Sequence, residues 1–202
     1  PPTESEDSIY RAFRYGDLAD FIMLDTRLEG RVKQLENPVD PARSDARDLL
    51  GQTQKEWFKN KLATAQGQWK FVGQQVMFAQ LQLLEIQRLL PGVLTGGVLD
   101  EPLGVEFVAP SVTSPGFPDG AAELVSAVLP VVNPHMKYTD LKNHGFILMD
   151  VTHQRAQAEF YYAENIDSAE QSGVESSKVK RLAVNSGSSR LVEDTPVSYP
   201  KV

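Results

Sequence analysis

The chain has 202 residues, 41% of them apolar and 23% charged, which is the composition and size of a chain that buries an ordinary globular core. Its net charge of −7 and isoelectric point near 5.0 argue against a nucleic-acid surface, which would need clustered Lys and Arg. Without cysteine there is no disulfide and no thiolate metal ligand within these residues, and no apolar run approaches the roughly 18 residues that span a bilayer. The opening Pro1-Pro2-Thr3-Glu4-Ser5-Glu6-Asp7 is polar, lacks the basic start and apolar stretch of a signal peptide, and reads as a mature or internal beginning.

Tyr10 to Phe13 alternate imperfectly. Leu18 to Leu24 then form a nearly continuous apolar run ending at Asp25-Thr26-Arg27, the pattern of a buried parallel strand with polar groups at its carboxyl end. Arg31 to Asp48, charged and holding Pro38 and Pro41, reads as an exposed loop. Gly51 to Gln66 follows helical spacing through Trp57, Phe58, Leu62 and Ala65, with Thr53 as the expected N-cap and Glu56 completing a capping box. Trp69 to Phe78 predicts a second strand, followed by a helix over Gln82 to Leu90, a short strand at Val93 to Thr95, and a third strand over Val105 to Pro110. A helix over Ala121 to Leu129 is expected to stop at Pro130. Gly145 to Thr152 and Ala156 to Tyr162 predict an antiparallel hairpin. From about Asp167 the chain is rich in Ser, Glu, Lys and Asn, so residues 1–166 read as the domain and 167–202 as a polar, poorly ordered tail or edge strands.

Polar residues after a buried strand are where ligands of open α/β sheets collect, which singles out Asp25 and Arg27. Arg27 has the fork geometry to clamp a phosphate, and Asp25 would orient it or reach a metal shell. The alternative is an Asp–Arg structural pair that closes the strand. In the loop Asn133-Pro134-His135, His135 is a candidate metal ligand or donor to phosphate oxygen, against a ring that bonds a backbone carbonyl behind Pro134. Asn133 is a candidate substrate contact, against a turn residue favoured before proline. Ser111, Thr113 and Ser114 follow the third strand but have no evident base, so they read as loop hydrogen-bonders. His144 lies beside a strand end and His153 in a hairpin turn; positions 135, 144 and 153 lack the spacing of a zinc motif. Gly96-Gly97 is not followed by the Lys of a phosphate cradle.

Four blocks in order carry a family resemblance: YRAFRYGDLADFIMLDTR from Tyr10, LLGQTQKEWFKNKLATAQGQWKFVGQQVMFAQL from Leu49, VEFVAPSVTSPG from Val105, and NPHMKYTDLKNHGFILMDVTHQRAQAEFY from Asn133. Together they resemble the carboxy-terminal half of the PhoD-like alkaline phosphatases and phosphodiesterases. The resemblance implies an α/β metallophosphatase-type layered sandwich of mixed sheets flanked by helices, only part of it present. It also implies iron and calcium as cofactors, a metal-bound hydroxide as nucleophile, small phosphate-ester substrates, and a periplasmic or secreted location. On that reading Arg27 and His135 are catalytic, Asp25 and His135 metal ligands, and Arg27 and Asn133 substrate contacts.

The departures are equally specific. The family's amino-terminal half supplies an aspartate, a cysteine and an asparagine ligand with no counterpart here. Where the family has Gly-Asp-x-His, this chain continues Gly96-Gly97-Val98-Leu99. The compressed stretch Leu81 to Pro102 fits either a truncated relative or joined segments of a longer protein, and the abrupt junctions near Leu83 and Gly96 favour the second. The alternative function is a catalytically inactive remnant of the fold acting as a binding or structural module.

Overall fold

The computed structural model describes residues 8–33, 48–79, 81, 102–116, 120–166, 173–174 and 178–193. The chain divides into two compact units, Pro1–Met77 and Phe78–Val202. The helix expected over Gln82 to Leu90, the strand at Val93 to Thr95 and the glycine pair 96–97 lie outside the described residues, as does most of the loop between Arg31 and Asp48.

In the first unit β1 (Arg11–Tyr15), β2 (Ala19–Met23) and β3 (Trp69–Gly73) form a three-stranded sheet in that order, and α1 (Gly51–Thr64) connects β2 to β3. β2 runs parallel to β3 and antiparallel to β1, so the apolar run after Leu18 is the central strand of a mixed sheet. Ala19 and Ile22 are buried there. The register places Phe13, Phe21 and Phe71 side by side, and their rings stack at 5.0 and 5.2 Å between centroids. Tyr10 meets Trp57 of α1 at 4.6 Å.

The helix starts differently from expectation. Its N-cap is Leu50, with no side-chain cap, while Thr53 and Glu56 lie inside the first turns. The reason is the approach of the loop after β2. Gly30 and Gly51 both take positive φ, 71° and 70°, and a Cβ on Gly51 would come within 2.8 Å of the Gly30 Cα. Only paired glycines let the two backbones touch, and that contact sets where the helix begins. β3 ends at Gly73, five residues before the expected end at Phe78.

The second unit contains α2 (Ala121–Val132) and a four-stranded antiparallel sheet of β4 (Gly145–Val151), β5 (Arg155–Tyr162), β6 (Lys180–Asn185) and β7 (Leu191–Glu193), in sequence order. The hairpin forms as predicted, through Thr152-His153-Gln154. On one face Ala158, Phe160, Tyr162 and Leu182 form the core, with Phe107, Tyr138, Ile147 and Leu191 packed against them. The opposite face of β5 buries polar groups. There Glu159 accepts from Gln157 Nε2 at 2.7 Å and from the Tyr161 hydroxyl at 2.6 Å.

Three local expectations change. Residues 105–110 form no strand, because Phe107 turns its ring to Phe160 and the Glu106 carboxylate takes the backbone N–H groups of Phe78 and Ala79. α2 runs through Pro130 to Val132, and the backbone N–H of Asn133 still bonds the Leu129 carbonyl beyond the proline. Within the polar stretch after Asp167, Lys180–Asn185 is an internal strand with Leu182, Ala183 and Val184 buried. No helix among the described residues is long and apolar enough to cross a membrane.

Asp20 on β2 gives the first unit a defined acid sensitivity. Its carboxylate accepts from Arg14 Nε at 2.8 Å and from the backbone N–H groups of Gly67 and Gln66 at 2.6 and 2.7 Å. The Arg14 bond first, then the Gly67 amide, hold its pKa at about 2 against the ordinary 3.8. A depressed carboxylate stabilises the fold above its unfolded pKa, and the contribution disappears as pH falls from about 4 through about 2. The stability gap between the parent chain and Asp20→Asn, measured by urea unfolding, is expected to shrink over that window. A gap that stays constant down to about pH 2 would contradict this account.

Candidate functional site

The β2–β3 ladder extends one step past β2, through Leu24 N–H to the Gly73 carbonyl at 2.8 Å. Beyond that point the chain still runs buried, through Asp25 and Thr26, with no neighbouring strand described beside it. Two glutamine side chains take the neighbour's place. Gln54, at 0% exposure on α1, accepts from Asp25 N–H at 2.8 Å and donates to the Asp25 carbonyl at 2.9 Å. Gln75 donates to the Leu24 carbonyl at 2.7 Å and accepts from Thr26 N–H at 2.8 Å and Thr26 Oγ1 at 2.6 Å. Arg31 Nη1 donates to the remaining Thr26 carbonyl at 2.9 Å. Every backbone polar group of residues 24–26 therefore has a partner, as burial requires.

The Asp25 carboxylate, 2% exposed, turns the chain outward. Oδ1 accepts from the N–H groups of Arg27 and Leu28 at 2.9 and 3.0 Å, and Oδ2 from that of Glu29 at 2.9 Å. Burial works against its ionisation, but the three amides outweigh burial and lower its pKa. Asp25 thus bonds the Arg27 backbone and not its guanidinium. Among the described residues the exposed Arg27 side chain has no hydrogen-bond or ion-pair partner.

Asn133 and His135 occupy a turn of the second unit. Asn133, 0% exposed, closes α2 by bonding the Leu129 carbonyl through its backbone N–H at 2.8 Å and its Nδ2 at 3.0 Å. Its own carbonyl accepts from Met136 N–H at 2.9 Å, which makes the turn. The carbonyl of Pro134 takes Lys137 Nζ at 2.6 Å, not the His135 ring. His135 stands exposed on the turn, and its ring has no hydrogen-bond partner among the described residues. Three residues on, the Tyr138 hydroxyl meets that of Tyr162 at 2.7 Å and ties the loop to β5; burial is the main cause that raises the pKa of both phenols.

The four sequence candidates thus fall into two pairs, Asp25 with Arg27 on one turn and Asn133 with His135 on another. Sequence reasoning did not single out Gln54 or Gln75. The available signals were a glutamine on the inner side of α1 and the Gln74-Gln75 pair after a strand. It also gave Ser111 no base, whereas the structure brings His144 Nδ1 to 3.0 Å from Ser111 Oγ. That hydroxyl donates to the Ser114 carbonyl at 3.0 Å. The hydroxyl therefore lies between an imidazole nitrogen and a backbone carbonyl.

The residues present do not fit an iron–calcium centre. Both oxygens of Asp25 are taken by backbone amides, Asn133 is buried against its helix, and the described residues hold no group of three or more His, Cys, Asp or Glu able to share an ion.

The family model described as "PhoD-like phosphatase" matches residues 1–94 and 95–160. Alkaline phosphatase D of Bacillus subtilis (strain 168) is 38% identical over 84 residues, which cover 39% of this chain and 14% of that protein. A solved structure described as "Structure of PhoD" superposes with a TM-score of 0.69 at 22% identity, over 98% of this chain and 46% of that one. At that identity the superposition establishes the shared fold. The chain spans less than half the length of either relative.

The Asp25 turn makes a local prediction. Asp25→Ala is expected to speed hydrogen exchange at the amides of Arg27, Leu28 and Glu29 by at least about tenfold, the loss of a charge-assisted bond at each. Protection unchanged at all three amides would show that the turn holds itself without the carboxylate.

Proposed function

Because the chain belongs to the PhoD-like phosphatase family, through residues 1–94 and 95–160, we propose that the protein hydrolyses phosphate mono- or diesters in the manner of an alkaline phosphatase or phosphodiesterase of the D type. The family match over most of the chain is the observation that carries this reading. Metal dependence, with iron and calcium, and a periplasmic or secreted location come with the resemblance; no step is routed here through metals whose ligands these residues do not assemble.

The chain's own contribution lies on the two turns. Arg27 is the proposed substrate contact: an exposed guanidinium offers two parallel N–H donors to phosphoryl oxygens and balances charge that builds on them. Asp25 serves that contact by fixing the backbone of the turn. In the second unit, and independently of Arg27, His135 with its open imidazole is proposed as a donor to a phosphate oxygen, and Asn133 holds the turn that presents it.

A second reading, a non-catalytic binding or structural module of the same fold, is favoured by the Asp25 carboxylate, which is 2% exposed and spends three of its about four acceptor sites on backbone amides. Turnover of p-nitrophenyl phosphate and its bis-ester by the purified protein, with metal content measured on the same sample, separates the two. Hydrolysis supports the phosphatase reading, and its absence across added iron and calcium supports the module.

Two substitutions test the named residues in the active protein. His135→Ala is expected to lower turnover by at least about tenfold, the loss of one donor to a phosphate oxygen. An unchanged rate would assign His135 to the surface of the turn. Arg27→Lys is expected to raise KM, because an ammonium does not reproduce a bidentate contact. Unchanged kinetics would remove Arg27 from the substrate.

A further inference from the structure

Gln54 and Gln75 come from different parts of the first unit, one from α1 and one from the chain after β3, yet they bond three consecutive residues of one strand end. We propose that these two glutamines are positioning residues for phosphate binding at Arg27, a role that rests on the phosphate contact assigned to Arg27 above. A primary amide is the one side-chain group that reproduces both halves of a peptide, an acceptor beside a donor. Gln54 uses both halves on Asp25, and Gln75 uses both halves across Leu24 and Thr26.

The apolar side chains of α1, Trp57, Phe58 and Leu62, are only half-buried, whereas Gln54 is the helix's fully buried residue. Burying an amide is unfavourable unless its hydrogen bonds are made. Its presence at that position is therefore explained by what it holds. The peptide it holds is the one whose own carboxylate shapes the turn to Arg27. The helix, the third strand and the arginine backbone are thereby locked together, and a bidentate contact needs its donor held to within about 0.5 Å.

Arg31 Nη1 on the Thr26 carbonyl and the close Gly30–Gly51 contact brace the same loop from its far side. The glutamine bonds hold the strand end from which the turn departs. Neither glutamine needs to touch phosphate for this role.

The test titrates inorganic phosphate into the 202-residue chain and follows the Arg27 side-chain N–H resonance. Gln54→Met keeps the side-chain length but removes both hydrogen bonds to Asp25. Gln75→Ala does the same at Leu24 and Thr26 from an exposed position, so it reports even if the buried variant does not fold. Each variant is expected to weaken phosphate binding on the order of tenfold, the scale of one lost charge-assisted contact. Unfolding midpoints are recorded alongside, and affinities compared well below them. Gln52→Ala, which removes a bond to Glu56 on the outer face of α1, is expected to change nothing.

A parent chain that binds no phosphate, or an Arg27→Ala variant that binds it equally well, would overturn the phosphate contact and this role with it. Loss of binding in Arg27→Ala, with full affinity in both glutamine variants, would overturn the positioning role alone. Lower midpoints with unchanged affinity would do the same, since they mark glutamines that only stabilise the fold.

Discussion

A peptide group buried past the end of a sheet must find a hydrogen-bond partner that is not a strand, and the first unit is organised around that requirement. The β2–β3 ladder stops at Leu24 and Gly73, but the chain stays buried for two more residues. Had Gln54 been leucine, the N–H and C=O of Asp25 would face an apolar side chain, at the cost that unsatisfied buried polar groups carry. The strand would then bend to solvent earlier, and the carboxylate that caps residues 27–29 would leave its place. The residue that satisfies this peptide lies 29 positions later in the chain, on the helix.

The second unit solves a similar problem with a helix end. Asn133 uses both its backbone and its side chain on the Leu129 carbonyl, so α2 closes without a glycine at that point. Tyr138 then commits the following loop to the sheet through its hydroxyl and its ring, which meets Phe160 edge-on at 5.6 Å. In each unit a buried Asx residue holds the turn and the residue two positions on projects outward: Arg27 after Asp25, His135 after Asn133. Burial fixes the backbone, and exposure leaves the functional group available.

This division also bears on how phosphate chemistry would be shared with the rest of a longer relative. The two turns offer a guanidinium and an imidazole, groups that bind and balance charge on a phosphoryl oxygen. They offer no assembled ligand set among the described residues. The solved PhoD structure is more than twice the length matched here.

What the residues determined alone was the kind of several elements and the family. The buried parallel strand ending at Asp25, the helix from Gly51, the hairpin between Gly145 and Tyr162, and the four ordered blocks are all local patterns, legible because strand and helix periodicity and turn chemistry are written in neighbouring residues. The candidates Asp25, Arg27, Asn133 and His135 were legible for the same reason, as polar residues at element ends. Only tertiary structure decided what each does. Asp25 spends its carboxylate on the backbone of residues 27–29, and its own peptide is held by Gln54, 29 residues away. The helix start depends on Gly30 touching Gly51, and the strand at Lys180 on the open edge of β5. A hydrogen bond between distant residues leaves no periodic trace in a sequence, because either partner alone is an ordinary polar residue.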